Sequence, residues 1–249
     1  MNSCTRVLMT ACAGLFAMSA LGEGAQGRTQ ADGALDCRQA LVDRFDALSG
    51  EIIGHDDEII PALVLLREEE KLARDVYLTF SEWYELPLFT DIALSEQNHM
   101  DLVAMVLERH GIADPAAGKG IGEFDDPKLQ ELFDDLFIPM GEASLVGALS
   151  AGAIIEDLDI DGLVKILSES RFLDINLVVE NLVASSRSHM RRFVTALKQR
   201  GETYFPSFYV DKNHLALILS SELETAVVYD EHGEVLATCG QHSPAGDRP

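Results

Sequence analysis

The chain has 249 residues, 47% of them hydrophobic, with 42 acidic against 19 basic side chains and a formal charge of -23. That length and apolar content suffice for one substantial domain with its own core. So large an acidic excess repels a phosphate backbone over most of the surface and excludes nucleic acid as a partner, while solubility alone accounts for the charge.

Residues 1–22 have the character of a secretory signal peptide. Arg6 is the only charge before a run from Val7 to Leu21 whose one ionisable side chain is Cys12. About fifteen apolar residues are too few for a membrane span of roughly twenty, and Ala20 and Gly22 offer a cleavage site before Glu23. The expectation is export to the periplasm or the exterior, with no membrane segment after cleavage. Met9 to Cys12 only faintly matches a lipoprotein cleavage box, because the preceding apolar run is short. Cleavage leaves Cys37 and Cys239, a candidate single disulfide in an oxidising compartment. Neither belongs to a CxxC spacing, so the chain lacks the cysteines of an iron-sulfur or zinc-ribbon site.

Residues 23–55 read as a polar leader. From 56 to 205 the apolar residues recur at helical spacing. A first helix is predicted from Glu58 to Tyr84, with Pro61 tolerated in its opening turn. A second follows Pro87 and is stopped after His110 by Gly111, a residue suited to a left-handed cap. The stretch from Gly111 to Gly141 holds one short helical piece, Lys128 to Phe137, and is long enough to cross the bundle. The third helix is predicted from Ser144 to Ser168 and the fourth from Asp174 to Arg200, with Ser144 and Asp174 as caps. Short links within each helix pair and one long link between them give an all-α, ferritin-like four-helix bundle with a single crossover. Residues 206–249 form a tail, with a hairpin predicted where Ala226–Tyr229 and Glu234–Ala237 flank a turn.

The stripe that each helix turns to its neighbours is interrupted by polar residues. It runs Ile92, Glu96, His99, Val103 in the second helix and Leu149, Gly152, Glu156, Asp159, Leu163 in the third. In the fourth it runs Val179, Leu182, Ser186, His189, Phe193, and in the first Leu66, Glu70, Ala73, Tyr77. At about 100° per residue, a spacing of three puts Glu96 beside His99 and Glu156 beside Asp159, so each pair can reach one point. Burying unpaired carboxylates costs several kcal/mol apiece, roughly, and a metal offsets that cost most directly. A purely hydrogen-bonded polar core, held by proton sharing or by an arginine partner, is the competing explanation; Arg74 lies one turn from Glu70 and could serve one carboxylate but hardly four. Glu68 and Glu69 are rotated away from Glu70 and are assigned to a solvated face; Glu108 and Glu180 fall opposite the stripe. His55, His110, His214, His232 and His242 are assigned as ordinary solvated histidines. Asp157 and Asp161 flank the third-helix pair, and Tyr77 is either core packing or a partner for a ligand.

The run Glu70–Lys71–Leu72–Ala73–Arg74–Asp75–Val76–Tyr77 resembles the first-helix motif of rubrerythrin-type proteins, and Glu96–Gln97–Asn98–His99 resembles their ExxH. More specifically, Glu68–Tyr77, Ser95–Met100, Ile155–Ile160 and Ser185–Phe193 together resemble the ferritin-like family called domain of unknown function 2202, over about residues 58 to 210. The resemblance implies a di-iron or di-manganese carboxylate site with Glu70, Glu96, His99, Glu156 and His189 in ligand positions. Where better-known relatives have a fourth-helix Glu three residues before the His, this chain has Ser186; Asp159 is our inferred replacement. Two functions follow as expectations. One is a metal-dependent oxidoreductase acting on ferrous iron, dioxygen or peroxide with an external electron donor. The other is a non-catalytic module that binds metal or another protein. A homodimer is compatible with either.

Overall fold

The computed structural model describes residues 30–48, 59–206, 211–221, 224 and 227–238. Four long helices carry the architecture: α2 (Ile59–Trp83), α3 (Pro87–Arg109), α6 (Leu145–Glu169) and α7 (Leu173–Lys198). They follow α1 (Gln30–Ala47), and the crossover contains α4 (Pro127–Glu131), a π-helical turn at Leu132–Phe137 and α5 (Ile138–Ala143). The tail adds α8 (Lys212–Ser220) and a hairpin of β1 (Val227–Tyr229) and β2 (Val235–Thr238). The result is the expected four-helix bundle with one long crossover.

Local signals set most of the boundaries. Pro87 opens α3, and Gly111 closes it at φ 68°, where an L side chain is disfavoured. The Ser144 hydroxyl accepts the Gly147 N–H to cap α6, as predicted. Asp174 does not cap α7: Phe172 holds that position, and Asp174 lies buried inside the first turn. There it shares a 2.9 Å hydrogen bond with His110 Nε2. His110 is therefore not a solvated histidine, because its place after α3 brings it against the start of α7. His214 and His232 are exposed as expected; His55 and His242 lie outside the described residues.

The core is in two apolar blocks. One gathers Tyr77, Phe80, Phe89, Ile92, Leu149 and Phe193 among others. The second includes Leu63, Leu66, Val103, Leu163, Val179 and Leu182. On every long helix the polar positions of the stripe fall between members of the two blocks. Gly152 permits the close approach of α6 to α7, since a Cβ there would come within 2.4 Å of the Phe193 ring.

The crossover folds back onto the outer face of α2, which overturns the assignment of Glu68 to a solvated surface. Glu68 is only 2% exposed and accepts the backbone N–H groups of Asp125 and Asp126 at 2.6 and 2.9 Å. Glu69 is half-buried beside it; burial, with Asp126 and Asp161 nearby, pushes its carboxyl up to about 7. Deeper in the same contact, the Lys71 ammonium lies 2.5 Å from Asp75 Oδ2 and donates to the Gly120 carbonyl at 2.6 Å. Asp75 also accepts the Gly122 N–H at 2.9 Å and two guanidinium N–H groups from Arg74.

α1 arises within what reads as a polar leader. Few of its residues reach the core, so its helical period is faint; Leu41 and Phe45 pack against the second block, and Arg44 pairs with Glu231 of the hairpin turn. α8 was likewise unpredicted and contributes Leu215 and Ile218 to the first block. The hairpin is antiparallel, as predicted. Cys37 is disulfide-bonded; Cys239 and the segment 1–22 lie outside the described residues. Among the described residues no helix is long and apolar enough to cross a membrane.

Candidate metal centre

Glu96 stands at the centre of the polar layer. Its Oε2 is 2.7 Å from His99 Nδ1, one turn along the same helix, and its Oε1 is 2.8 Å from His189 Nδ1 on α7. Glu70 Oε2 approaches His99 Nδ1 at 3.1 Å, and Glu156 Oε2 approaches His189 Nδ1 at 3.5 Å. Two buried triads result, Glu70–Glu96–His99 and Glu96–Glu156–His189, each with its donor atoms within 4.8 Å of one another. The imidazole rings lie nearly parallel with centroids 5.7 Å apart. Asp159 belongs to neither triad; its Oδ2 accepts the Ser186 hydroxyl at 2.5 Å.

Arg74 does not reach this layer. It donates to Asp75 and to the Gln97 side chain, so Arg74 neutralises none of the carboxylates of the layer. Tyr77 is a partner for a candidate ligand rather than mere packing, since its hydroxyl donates to Glu156 Oε1 at 2.7 Å. Asp157, treated above only as a flanking residue, is buried and accepts the Tyr204 hydroxyl at 3.0 Å. Outside the predicted residues, Ser185 Oγ lies 3.3 Å from His189 Nε2 and 3.4 Å from Ser95 Oγ. No spacing rule singles out these two serines.

Nearly all buried polar atoms in folded proteins have hydrogen-bond partners. Among the described residues six buried side-chain atoms have none, and four of them belong here: Glu70 Oε1, Glu96 Oε1, Asp159 Oδ1 and His189 Nδ1. Glu96 Oε1 and His189 Nδ1 are close but misaligned for a hydrogen bond, an arrangement that suits two donors sharing a cation. Carboxylate oxygens with imidazole nitrogens form a set for first-row metals rather than for a soft or purely hard ion.

The electrostatics describe the same need for positive charge. Burial pushes the Glu70 carboxyl up to about 7, against the pull of His99. Burial likewise raises Glu156, and raises Asp159 well above the carboxylate range. At Glu96 burial also acts upward, but the two imidazoles outweigh it and hold the group well below its ordinary value. The rings move the other way. Burial lowers them, yet Glu96 with Glu70 lifts His99 well above its usual value, and Glu96 with Glu156 lifts His189 to about 9.

A pH dependence follows. Without metal, His189 adds stability that is fully present below its ordinary 6.5 and is lost as pH rises through about 9. A cation needs the neutral ring. Manganese(II) affinity should therefore rise across that interval, with protons released on binding when followed by titration calorimetry in two buffers. An affinity that ignores pH over the same range would remove the imidazoles from the ligand set.

The family described as "Uncharacterized protein domain (DUF2202)" matches residues 60–222, a span that contains both triads and the crossover. The chain belongs to this family. It is similar to "Uncharacterized protein MJ0754" of Methanocaldococcus jannaschii, with 47% identity over 184 residues, covering 74% of this chain and 97% of the relative. The crystal structure of that hypothetical protein superposes with a TM-score of 0.68 at 45% identity, covering 71% of this chain and 99% of the other. The DUF2202 span thus takes in the four long helices and α8, while α1 and the hairpin lie outside it.

Proposed function

We propose that the chain is a di-metal carboxylate protein of the cell envelope, ferritin-like in its connectivity, that holds two iron or manganese ions and acts as an oxidoreductase on ferrous iron, dioxygen or peroxide. The supporting observation is the convergence of buried atoms without hydrogen-bond partners from α2, α3, α6 and α7 on a layer in which Glu96 is common to both triads. Glu70 and His99 would hold one ion, Glu156 and His189 the other, with Glu96 serving both. When bound, such a pair supplies electrons to a small oxidant and polarises what binds beside it.

The residues provide the setting. Glu70, Glu96 and Glu156 are each 1% exposed, which keeps bulk water from the donor atoms. Tyr77 fixes one oxygen of Glu156 and leaves the other turned toward His189. The two histidines are buried as well, at 5% exposure each. Ferrous iron as substrate would itself supply the electrons; turnover on dioxygen or peroxide without it would draw them from an external donor, since the cysteines of this sequence do not have the spacing of an iron-sulfur centre. The proposal includes removal of residues 1–22 on export, a leader over 23–55, the bundle over 56–205 and a tail over 206–249. The disulfide at Cys37 favours an oxidising compartment.

The test is anaerobic loading with ferrous iron, metal analysis, and then addition of dioxygen or peroxide. The expected result is about two irons per chain, in line with a paired carboxylate site, followed by consumption of one of the oxidants. Stable binding with no consumption would leave a storage or structural metal protein, and failure to bind iron or manganese would end the proposal.

A further inference from the structure

We propose that Asp159, held in place by the Ser186 hydroxyl, is a fourth carboxylate ligand of the centre and the one on which occupancy by a second divalent ion depends. The inference rests on the di-metal reading above. It concerns a residue outside both triads and a serine in the place where a carboxylate would be the direct solution.

Ser186 occupies the polar gap of α7 one turn before His189 and is completely buried. A serine oxygen is a poor metal ligand, yet this one is placed to orient a better one. Its Oγ is 2.5 Å from Asp159 Oδ2 and 3.0 Å from the Leu182 carbonyl. A hydroxyl has one proton to give, and the shorter contact is to Asp159. Engaging Oδ2 in this way turns the other oxygen, Oδ1, out of that bond. Oδ1 is buried and has no hydrogen-bond partner, although Asp159 as a whole is only 7% exposed. Its place on α6, three residues after Glu156, puts it on the face that carries the second triad.

Charge gives an independent reason. Glu70, Glu96 and Glu156 supply three negative charges, and neutral imidazoles add none. Two divalent ions would then leave one positive charge unmatched in a core where isolated charge is costly. Asp159 supplies the match without a residue on α7, and the small Ser186 leaves room for its carboxylate to lean across. A glutamate at 186 and an aspartate at 159 would crowd one space and overshoot the charge, so the serine and the aspartate make sense only together.

Manganese(II) binding to the full chain, by equilibrium dialysis with elemental analysis, tests the pair. Circular dichroism and thermal melts check each variant's fold. Wild type should bind two ions and Asp159→Asn one. Ser186→Ala should keep two but bind the weaker about 10- to 100-fold less tightly, as expected for loss of an orienting hydrogen bond. The exchange variant Asp159→Ser with Ser186→Glu, which moves the carboxylate from α6 to α7, should recover two ions. A merely structural Asp159 would not produce that recovery. Two ions bound to Asp159→Asn with wild-type affinity would overturn the inference, as would a folded exchange variant that binds one. Failure of wild type to bind any ion would instead overturn the underlying di-metal reading.

Discussion

Glu96→Ala should abolish binding of both metal ions at once. Each oxygen of Glu96 faces a different histidine, at 2.7 and 2.8 Å, and the residue belongs to both triads. Truncation leaves neither triad with more than one carboxylate and one imidazole. By contrast, Glu70→Ala and Glu156→Ala each disturb only one triad. The expected loss of manganese affinity in Glu96→Ala is more than about 100-fold, the upper end of what outer-shell changes alone produce. Thermal shift gives a second readout. A ligand present at about 100 times its dissociation constant stabilises the folded state by about 2.7 kcal/mol, and that metal-dependent rise should vanish in the variant. If Glu96→Ala retained either ion, the central position of this side chain would be wrong.

Asp75→Ala should be the most destabilising single change outside the centre. The carboxylate is fully buried and balances Lys71, itself 1% exposed, together with Arg74. It also accepts the Gly122 N–H and so ties the crossover to α2. Removing one partner of a buried ion pair leaves the other charge without compensation, at a cost of about 3–5 kcal/mol. For a domain of this size each kcal/mol lowers the melting temperature by about 2–4 °C, so a fall on the order of 10 °C is expected in a thermal melt. A cost below about 1 kcal/mol would mean that water takes over the role of the carboxylate.

The order of the long helices, the position of the crossover and the breaks in the apolar stripes were readable in the sequence because each depends on a short-range period. Glu96 with His99 and Glu156 with Asp159 announce themselves by a spacing of three within otherwise apolar stripes. What lies outside that period was not readable. Glu68 is correctly rotated away from Glu70, but angular position says nothing about whether a distant connector will cover the outer face, and residues 119 to 126 do cover it. His110 fails for the same reason: its partner Asp174 is 64 positions away. The Ser186–Asp159 bond joins two helices whose register no periodicity can fix, so the sequence could suggest Asp159 as a substitute ligand but not what would orient it. α1 and α8 escaped because each lays only two described apolar side chains into the core.

The division of the interior into two greasy halves has a consequence for how the protein holds together. Every long helix passes from one half to the other through the same ionisable belt, so cohesion across the middle depends on what fills that belt. A pair of cations would fasten all four rods at mid-height. Protons in their place would fasten the rods less well, and the molecule's rigidity would then be a gauge of how far the belt is filled.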